Sequence, residues 1–226
     1  KVSKAMARIL NHLHLQFAIL GMEEGCCGDP ARRVGNEYLF QTLAQKNIET
    51  FKRYNIKKIL TTCPHCYNTL KNEYPQLGFS CETVHHAQFL QENIRAGRLK
   101  LEQALAKRLS YHDPCYLGRY SGLYEPPRQV LRSIPSLDIR EMKRSKEDSL
   151  CCGGGGGWMW MDEKIGKRFN AQRLEDALAA GPDWIATACP FCVTMFEDAI
   201  KDKGMEETLK VWDIAEIVEK AIFGIE

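Results

Sequence analysis

The stretch Cys151-Cys152-Gly153-Gly154-Gly155-Gly156-Gly157 sets two adjacent cysteines against five glycines. Adjacent cysteines do not readily bridge each other, because disulfide geometry is strict. Both can reach a single metal centre. Glycine has no Cβ, so the backbone can approach closely whatever the thiols hold. Successive N–H groups in such a loop form an anion-binding nest. Cys115 lies upstream with 35 residues between, and Cys189-Pro190-Phe191-Cys192 lies downstream with 36 between. The same pattern occurs earlier, where Cys26-Cys27-Gly28 is followed after 35 residues by Cys63-Pro64-His65-Cys66. The offsets are 151 − 26 = 125 and 189 − 63 = 126.

The flanking text repeats as well. Ile59-Leu60-Thr61-Thr62 precedes one CxxC and Ile185-Ala186-Thr187-Ala188 the other. Further on, Thr83-Val84-His85-His86 reads against Lys210-Val211-Trp212-Asp213. A repeat this long is a tandem domain rather than a solenoid unit of ~20–50 residues. The expected units are residues 1–105 and 106–226, joined by the Lys/Glu-rich stretch after Gly97.

Hydrophobic periodicity gives helices over 2–12, 36–54, 63–74 and 87–94, with strands at 15–20, 56–62 and 79–84. The second unit reads as strands at 109–112, 137–142, 184–188 and 209–212, with helices at 126–132, 162–180, 189–200 and 214–222. Strands alternating with helices predict α/β units with Rossmann-like parallel sheets. Sites in such sheets form beyond the carboxyl ends of the strands, which is where every paired cysteine falls.

Net charge is +2 over 226 residues with no long basic run, which argues against nucleic acid as a partner. No apolar run reaches the ~18 residues of a membrane span, and no signal-peptide pattern is present. Ten cysteines could mean a secreted disulfide framework. Such frameworks are short and loop-rich, whereas this chain carries long amphipathic helices.

Three readings compete for each CxxC. A thioredoxin-like dithiol leaves the double cysteine unexplained. Structural zinc takes four ligands, which suits the first unit and leaves one thiol over in the second. An iron–sulfur cluster uses thiolates at a helix N-terminus and N–H groups from a glycine loop. Cys81 lies outside the repeat and reads as a buried apolar thiol. His85 and His86 read as a strand end or helix cap against a proton-shuttling role. Phe191 replaces His65 in the repeat, so His65 is not an obligatory ligand. Arg32, Arg33, Arg119, Lys167 and Arg168 either offset cluster charge or form surface ion pairs. The glycine run lacks the Lys-Ser/Thr of a phosphate loop. Trp158, Met159 and Trp160 read as core or a docking surface rather than a cofactor box.

The set Cys115, Cys151-Cys152-Gly153 and Cys189-Pro190-Phe191-Cys192 resembles the CCG cysteine-rich domain of heterodisulfide reductase B and D subunits. The same domain occurs in iron–sulfur subunits that oxidise glycolate, lactate and glycerol 3-phosphate. Gly28-Asp29-Pro30-Ala31-Arg32-Arg33, Gly35-Asn36-Glu37 and Trp158-Met159-Trp160-Met161 look closest to membrane-linked iron–sulfur oxidoreductases associated with electron-transfer flavoprotein. The resemblance implies a noncubane [4Fe–4S] cluster on Cys115, Cys151, Cys152, Cys189 and Cys192, cradled by Gly153 and Gly154. A second metal centre on Cys26, Cys27, Cys63 and Cys66 is implied, with either a cluster or zinc. It further implies electron transfer from flavoprotein to quinone. Ferredoxin-type and haem-bearing partners are implied at the cytoplasmic membrane face. Disulfide reduction is the alternative activity, and a zinc-stabilised interaction module the non-enzymatic alternative. The chain starts at Lys1 in mid-pattern: 26 − 36 = −10 puts the cysteine equivalent to Cys115 about ten residues earlier. The first unit is therefore expected to be truncated, with a strand ending in a cysteine upstream.

Overall fold

The computed structural model describes residues 1–161 and 166–224. Its chain order is helix α1 (Val2–His12), α2 (Asp29–Arg33), α3 (Glu37–Arg53), strand β1 (Lys58–Thr61), α4 (Pro64–Asn68), β2 (Glu82–His85) and α5 (His86–Arg95). Then come β3 (Arg108–Tyr111), α6 (Glu125–Arg132), β4 (Asp138–Ile139), α7 (Phe169–Ala179), β5 (Trp184–Thr187), α8 (Pro190–Asp202), β6 (Lys210–Asp213) and α9 (Ile214–Phe223). All pairings are parallel. One sheet has the order β1-β2 and the other β4-β3-β5-β6. The protein is thus α/β with parallel sheets.

Local chemistry explains the element ends. The Asn36 side chain accepts a hydrogen bond from the Leu39 N–H (3.0 Å) and opens α3. Phe40, Ala44, Ile48 and Phe51 then fall on one buried face. Asp213 caps α9 in a capping box with Glu216, and left-handed Gly224 ends that helix. Pro64 and Pro190 sit in the first turn of α4 and α8, where a missing N–H costs little.

The largest core takes residues from both halves of the sequence. Ile9 of α1 and Leu90 of α5 pack with Leu109, Val130 and Ile217. Helix α1 lies against α9, α5 against α6, and α5 against α9. A second core under the four-stranded sheet holds Leu174, Ile185, Phe196 and Val211. A third holds Phe40, Ile48, Tyr74 and Phe79.

Four sequence expectations are corrected. Residues 15–20 form no strand, and Leu15, Phe17 and Ile19 are exposed. A strand exists only beside a partner that takes its backbone hydrogen bonds. β4 has β3, while no described strand lies next to 15–20. The helix expected over 63–74 is short: α4 passes into a π turn at Thr69–Glu73 and a 3-10 turn at Tyr74–Leu77. The helix expected over 162–180 is found at Phe169–Ala179, its expected start at 162–165 lying outside the described residues. The repeat register also shifts by one. Thr61 pairs with His85 and Thr187 with Asp213, so His85 corresponds to Asp213 rather than to Trp212.

Candidate metal centre

The two double-cysteine loops share one construction. Gly28 and Gly153 follow their cysteine pairs with φ of +89° and +82°. That left-handed turn brings each glycine N–H back onto the first cysteine. Gly28 N–H donates to Cys26 Sγ (3.4 Å) and Gly153 N–H to Cys151 Sγ (3.3 Å). A Cβ on Gly28 would meet Phe40 at 2.8 Å, and one on Gly153 would meet Phe169 at 3.0 Å. Conformation and space both demand glycine there. A Cβ on Gly154 would crowd Met195 and Phe191 at 3.2 Å each and lie 3.6 Å from Cys152 Sγ.

The first loop is held from behind by α3. Asn47 accepts from Gly25 N–H (3.2 Å) and donates to the Cys26 carbonyl (2.9 Å), while Tyr74 Oη donates to the Cys27 carbonyl (3.1 Å). In the second half, buried Arg128 grips Asp113 through both carboxylate oxygens (2.6 and 2.9 Å) and also binds Glu141. Asp113 in turn accepts from Lys146 N–H (2.7 Å), fixing the turn that carries Cys115.

All ten cysteines are free. Nine thiols form an unbroken run in which each approaches the next: Cys26, Cys27, Cys66, Cys63, Cys189, Cys192, Cys152, Cys151 and Cys115. Cys152 and Cys192 lie 3.3 Å apart. The two sets meet where Cys63 touches Cys189, the equivalent positions of the two CxxC motifs. Protons are shared unequally along the run. Cys26 and then Cys66 pull the Cys27 thiol well down, Cys189 and then Cys66 do so for Cys63, and Cys115 and then Cys152 for Cys151. Burial pushes Cys189 and Cys192 up.

A row of aromatic rings lies beside the cysteines, with Phe191 packed against Cys152, Cys189 and Cys192. Tyr120 stacks on Tyr116 (4.3 Å between centroids), Tyr116 on His65 (4.0 Å), His65 meets Phe191 edge-on (5.0 Å), and Phe191 meets Trp160 (6.4 Å). His65, Phe191 and Tyr116 each sit beside or between cysteines in sequence. His65 Nδ1 pairs with Asp29 Oδ2 (2.8 Å). Burial lowers the His65 pKa, but the Asp29 hydrogen bond and neighbouring charge outweigh it and leave it raised.

The other residues singled out from sequence fall as follows. Cys81 is half-buried at the edge of the third core, 3.7 Å from Thr83 Oγ1 and outside the thiol run. His85 caps α5, with Nδ1 accepting from Ala87 N–H (3.3 Å). Arg32 and Arg33 pair with Glu73, Arg33 also with Asp29, Lys167 with Glu175, and Arg168 with Asp198. Arg119 donates to the carbonyls of Glu147 and Ser149. Trp158 and Trp160 are 48% and 66% exposed, so neither is core, while Met159 packs against the cysteines. Sequence reading missed Asp29, Asp113, Arg128, His112 and Arg173. Polar neighbours such as Glu125 and Gln129 around Arg128, and Gln172 and Glu175 around Arg173, left no local signal that these side chains are buried.

A parallel α/β scaffold with free thiols gathered beyond its strand ends is an arrangement suited to holding metal through thiolates. The cysteine-rich domain model of the CCG family matches residues 1–71 and 109–197, and the chain belongs to that family. The chain is 46% identical over 99% of its length to "Probable iron-sulfur-binding oxidoreductase FadF" of Bacillus subtilis, covering 32% of that protein. It is 45% identical over 98% of its length to "EtfAB:quinone oxidoreductase" of Syntrophomonas wolfei, covering 32% of it. A subunit of the dihydromethanophenazine:CoB–CoM heterodisulfide reductase of Methanosarcina barkeri is 37% identical over 96% of the chain, which covers 54% of that relative. The chain therefore spans about a third of the first two relatives and about half of the third. No helix among the described residues is long and apolar enough to cross a membrane.

Proposed function

We propose that this chain is the cluster-bearing part of an iron–sulfur oxidoreductase that carries electrons between a flavoprotein and quinone. The carrying observation is the run of nine thiols at the strand ends of both halves. Those residues fit an iron–sulfur group: the thiols are free, their neighbours donate N–H to sulfur, and Gly154 leaves room where a side chain would intrude. Cys115, Cys151, Cys152, Cys189 and Cys192 would hold one cluster, noncubane [4Fe–4S] on the family resemblance. Gly153 and Gly154 would line it. Cys26, Cys27, Cys63 and Cys66 would hold the second centre, a cluster or zinc. When bound, such a group supplies one-electron redox chemistry. The chain's own residues hold it, exclude water with the aromatic row, and set the charge around sulfur.

We read residues 1–105 and 106–226 as tandem Rossmann-like repeats. The pairing of β1-α4 and β2-α5 with β5-α8 and β6-α9 supports that reading. Partners would be ferredoxin-type and haem-bearing redox segments and electron-transfer flavoprotein. The site of action would be the cytoplasmic membrane face, in line with a 42% identical relative named a membrane-anchored ferredoxin. The heterodisulfide reductase relatives favour disulfide reduction as the second reading.

Anaerobic metal analysis with absorption and spin-resonance spectra tests the proposal. Iron and sulfide should be found, with Cys152→Ser losing iron and Cys81→Ser keeping it. Zinc without visible absorption would point instead to an interaction module. Turnover of small disulfides faster than oxidation of a reduced flavoprotein would favour the second reading.

A further inference from the structure

His112 follows β3 and is 1% exposed. Its Nδ1 lies 2.9 Å from Arg173 Nε. Arginine stays protonated in proteins, so Arg173 donates and Nδ1 must offer its lone pair. The ring proton is then on Nε2. The guanidinium is held in place on its other side as well. Arg173 is itself fully buried, with Nη1 donating to the Arg144 carbonyl (2.8 Å) and Asp176 (3.0 Å) and Nη2 to Ser149 Oγ (3.1 Å).

The Nε2–H so placed has no partner among the described residues, although it is wholly buried. A buried donor without an acceptor is costly, and asks what it serves. A ring nitrogen of His112, Cys152 Sγ and Cys192 Sγ lie within 4.8 Å of one another. With Nδ1 engaged by Arg173, Nε2 is the ring nitrogen still free to serve them. It cannot be a metal ligand without rearrangement. Binding metal through Nε2 would move the proton to Nδ1, against the Arg173 N–H.

We propose that His112, its tautomer fixed by Arg173, is a permanent N–H donor to sulfur at the second cysteine site rather than a metal ligand. The proposal rests on the iron–sulfur reading only for its redox consequence. An N–H directed at thiolate or sulfide stabilises the more electron-rich form, which is the reduced one. His112 is therefore a positioning residue that raises the reduction potential of the second centre.

The test uses the whole chain, with and without metal. In metal-free protein carrying nitrogen-15 histidine, the His112 signals should show the Nε2–H tautomer. Arg173→Gln should lose that single tautomer. After anaerobic reconstitution, His112→Phe and His112→Gln should both keep the iron of the unaltered protein, unlike Cys152→Ser. His112→Phe should shift the oxidised-to-reduced ratio about tenfold at fixed potential, which is about 59 mV downward for one electron. His112→Gln, whose amide N–H can occupy the Nε2 position, should recover most of that shift. An Nδ1–H tautomer would overturn the proposal, as would iron loss in His112→Gln matching that of Cys152→Ser. If the protein takes zinc alone, the redox reading falls while the tautomer measurement still decides the donor assignment. Far-ultraviolet spectra and melting curves identify a variant that does not fold, and Arg173→Met, which also lacks a fixed donor, then replaces Arg173→Gln.

Discussion

His86 Nε2 and Asp213 Oδ1 lie 2.9 Å apart, both side chains fully buried, joining helix α5 to the end of strand β6 across 127 residues of chain. Asp213 also accepts from Ala215 N–H (2.9 Å) as the cap of α9. Asp213→Ala removes both bonds. It should destabilise the protein by about 2–4 kcal/mol, from a buried donor left without its acceptor together with a lost helix cap. Asp213→Asn keeps an acceptor for the cap and should cost less. Urea unfolding of the two variants checks the order.

Arg128 predicts a second large loss. Its guanidinium serves Asp113 and Glu141 at once and lies over the Tyr111 ring at 5.1 Å. Arg128→Met would leave the buried Asp113 carboxylate without its cation, at a cost of about 3–5 kcal/mol. Arg128→Lys should recover only part of this, because an ammonium cannot make the forked contact. Metal content should fall selectively at the second site, since Asp113 fixes the turn that carries Cys115.

Gly157 tests the contact between the glycine loop and the first half of the chain. Its φ is +80°, and a Cβ there would stand 2.7 Å from Val34 Cγ1. Gly157→Ala should destabilise by about 1–3 kcal/mol through strain and crowding together. Adding Val34→Ala should relieve the crowding and leave the strain. A double-mutant cycle measured by thermal unfolding separates the two.

His85 supplies a pH dependence. Burial holds its pKa well below the usual 6.5, with the adjacent His86 adding to the effect. The unfolded chain takes up a proton below pH 6.5 and the folded chain does not. Stability is then full above that pH and is lost as pH falls towards the folded value. The slope is about 1.4 kcal/mol per pH unit for one proton. His85→Asn keeps a side chain able to cap α5 and cannot titrate. The stability difference between the two proteins should grow by that slope in denaturation series run from pH 7 to pH 5.

The cysteine spacing made the gathering of nine thiols legible from the sequence, because strand ends and helix starts place CCG and CxxC with little freedom. Other parts could not be read locally. Leu15, Phe17 and Ile19 alternate as a strand would, but a strand depends on a neighbour that its own residues do not encode. His112 stands three positions before Cys115 with no spacing rule of its own, and its role comes from Arg173, 61 residues away. Trp158 and Trp160 look like core by composition, yet both are exposed, directly after the left-handed turn at Gly156 and Gly157.

The approach of Cys63 to Cys189 ties the two cysteine sets together. Metal can bind a thiol only by displacing its proton, so metal bound through either cysteine would be felt at the other. If both sets hold metal as proposed, loading one should alter the affinity of the other, and the two halves would then be matured as one unit rather than as independent sites.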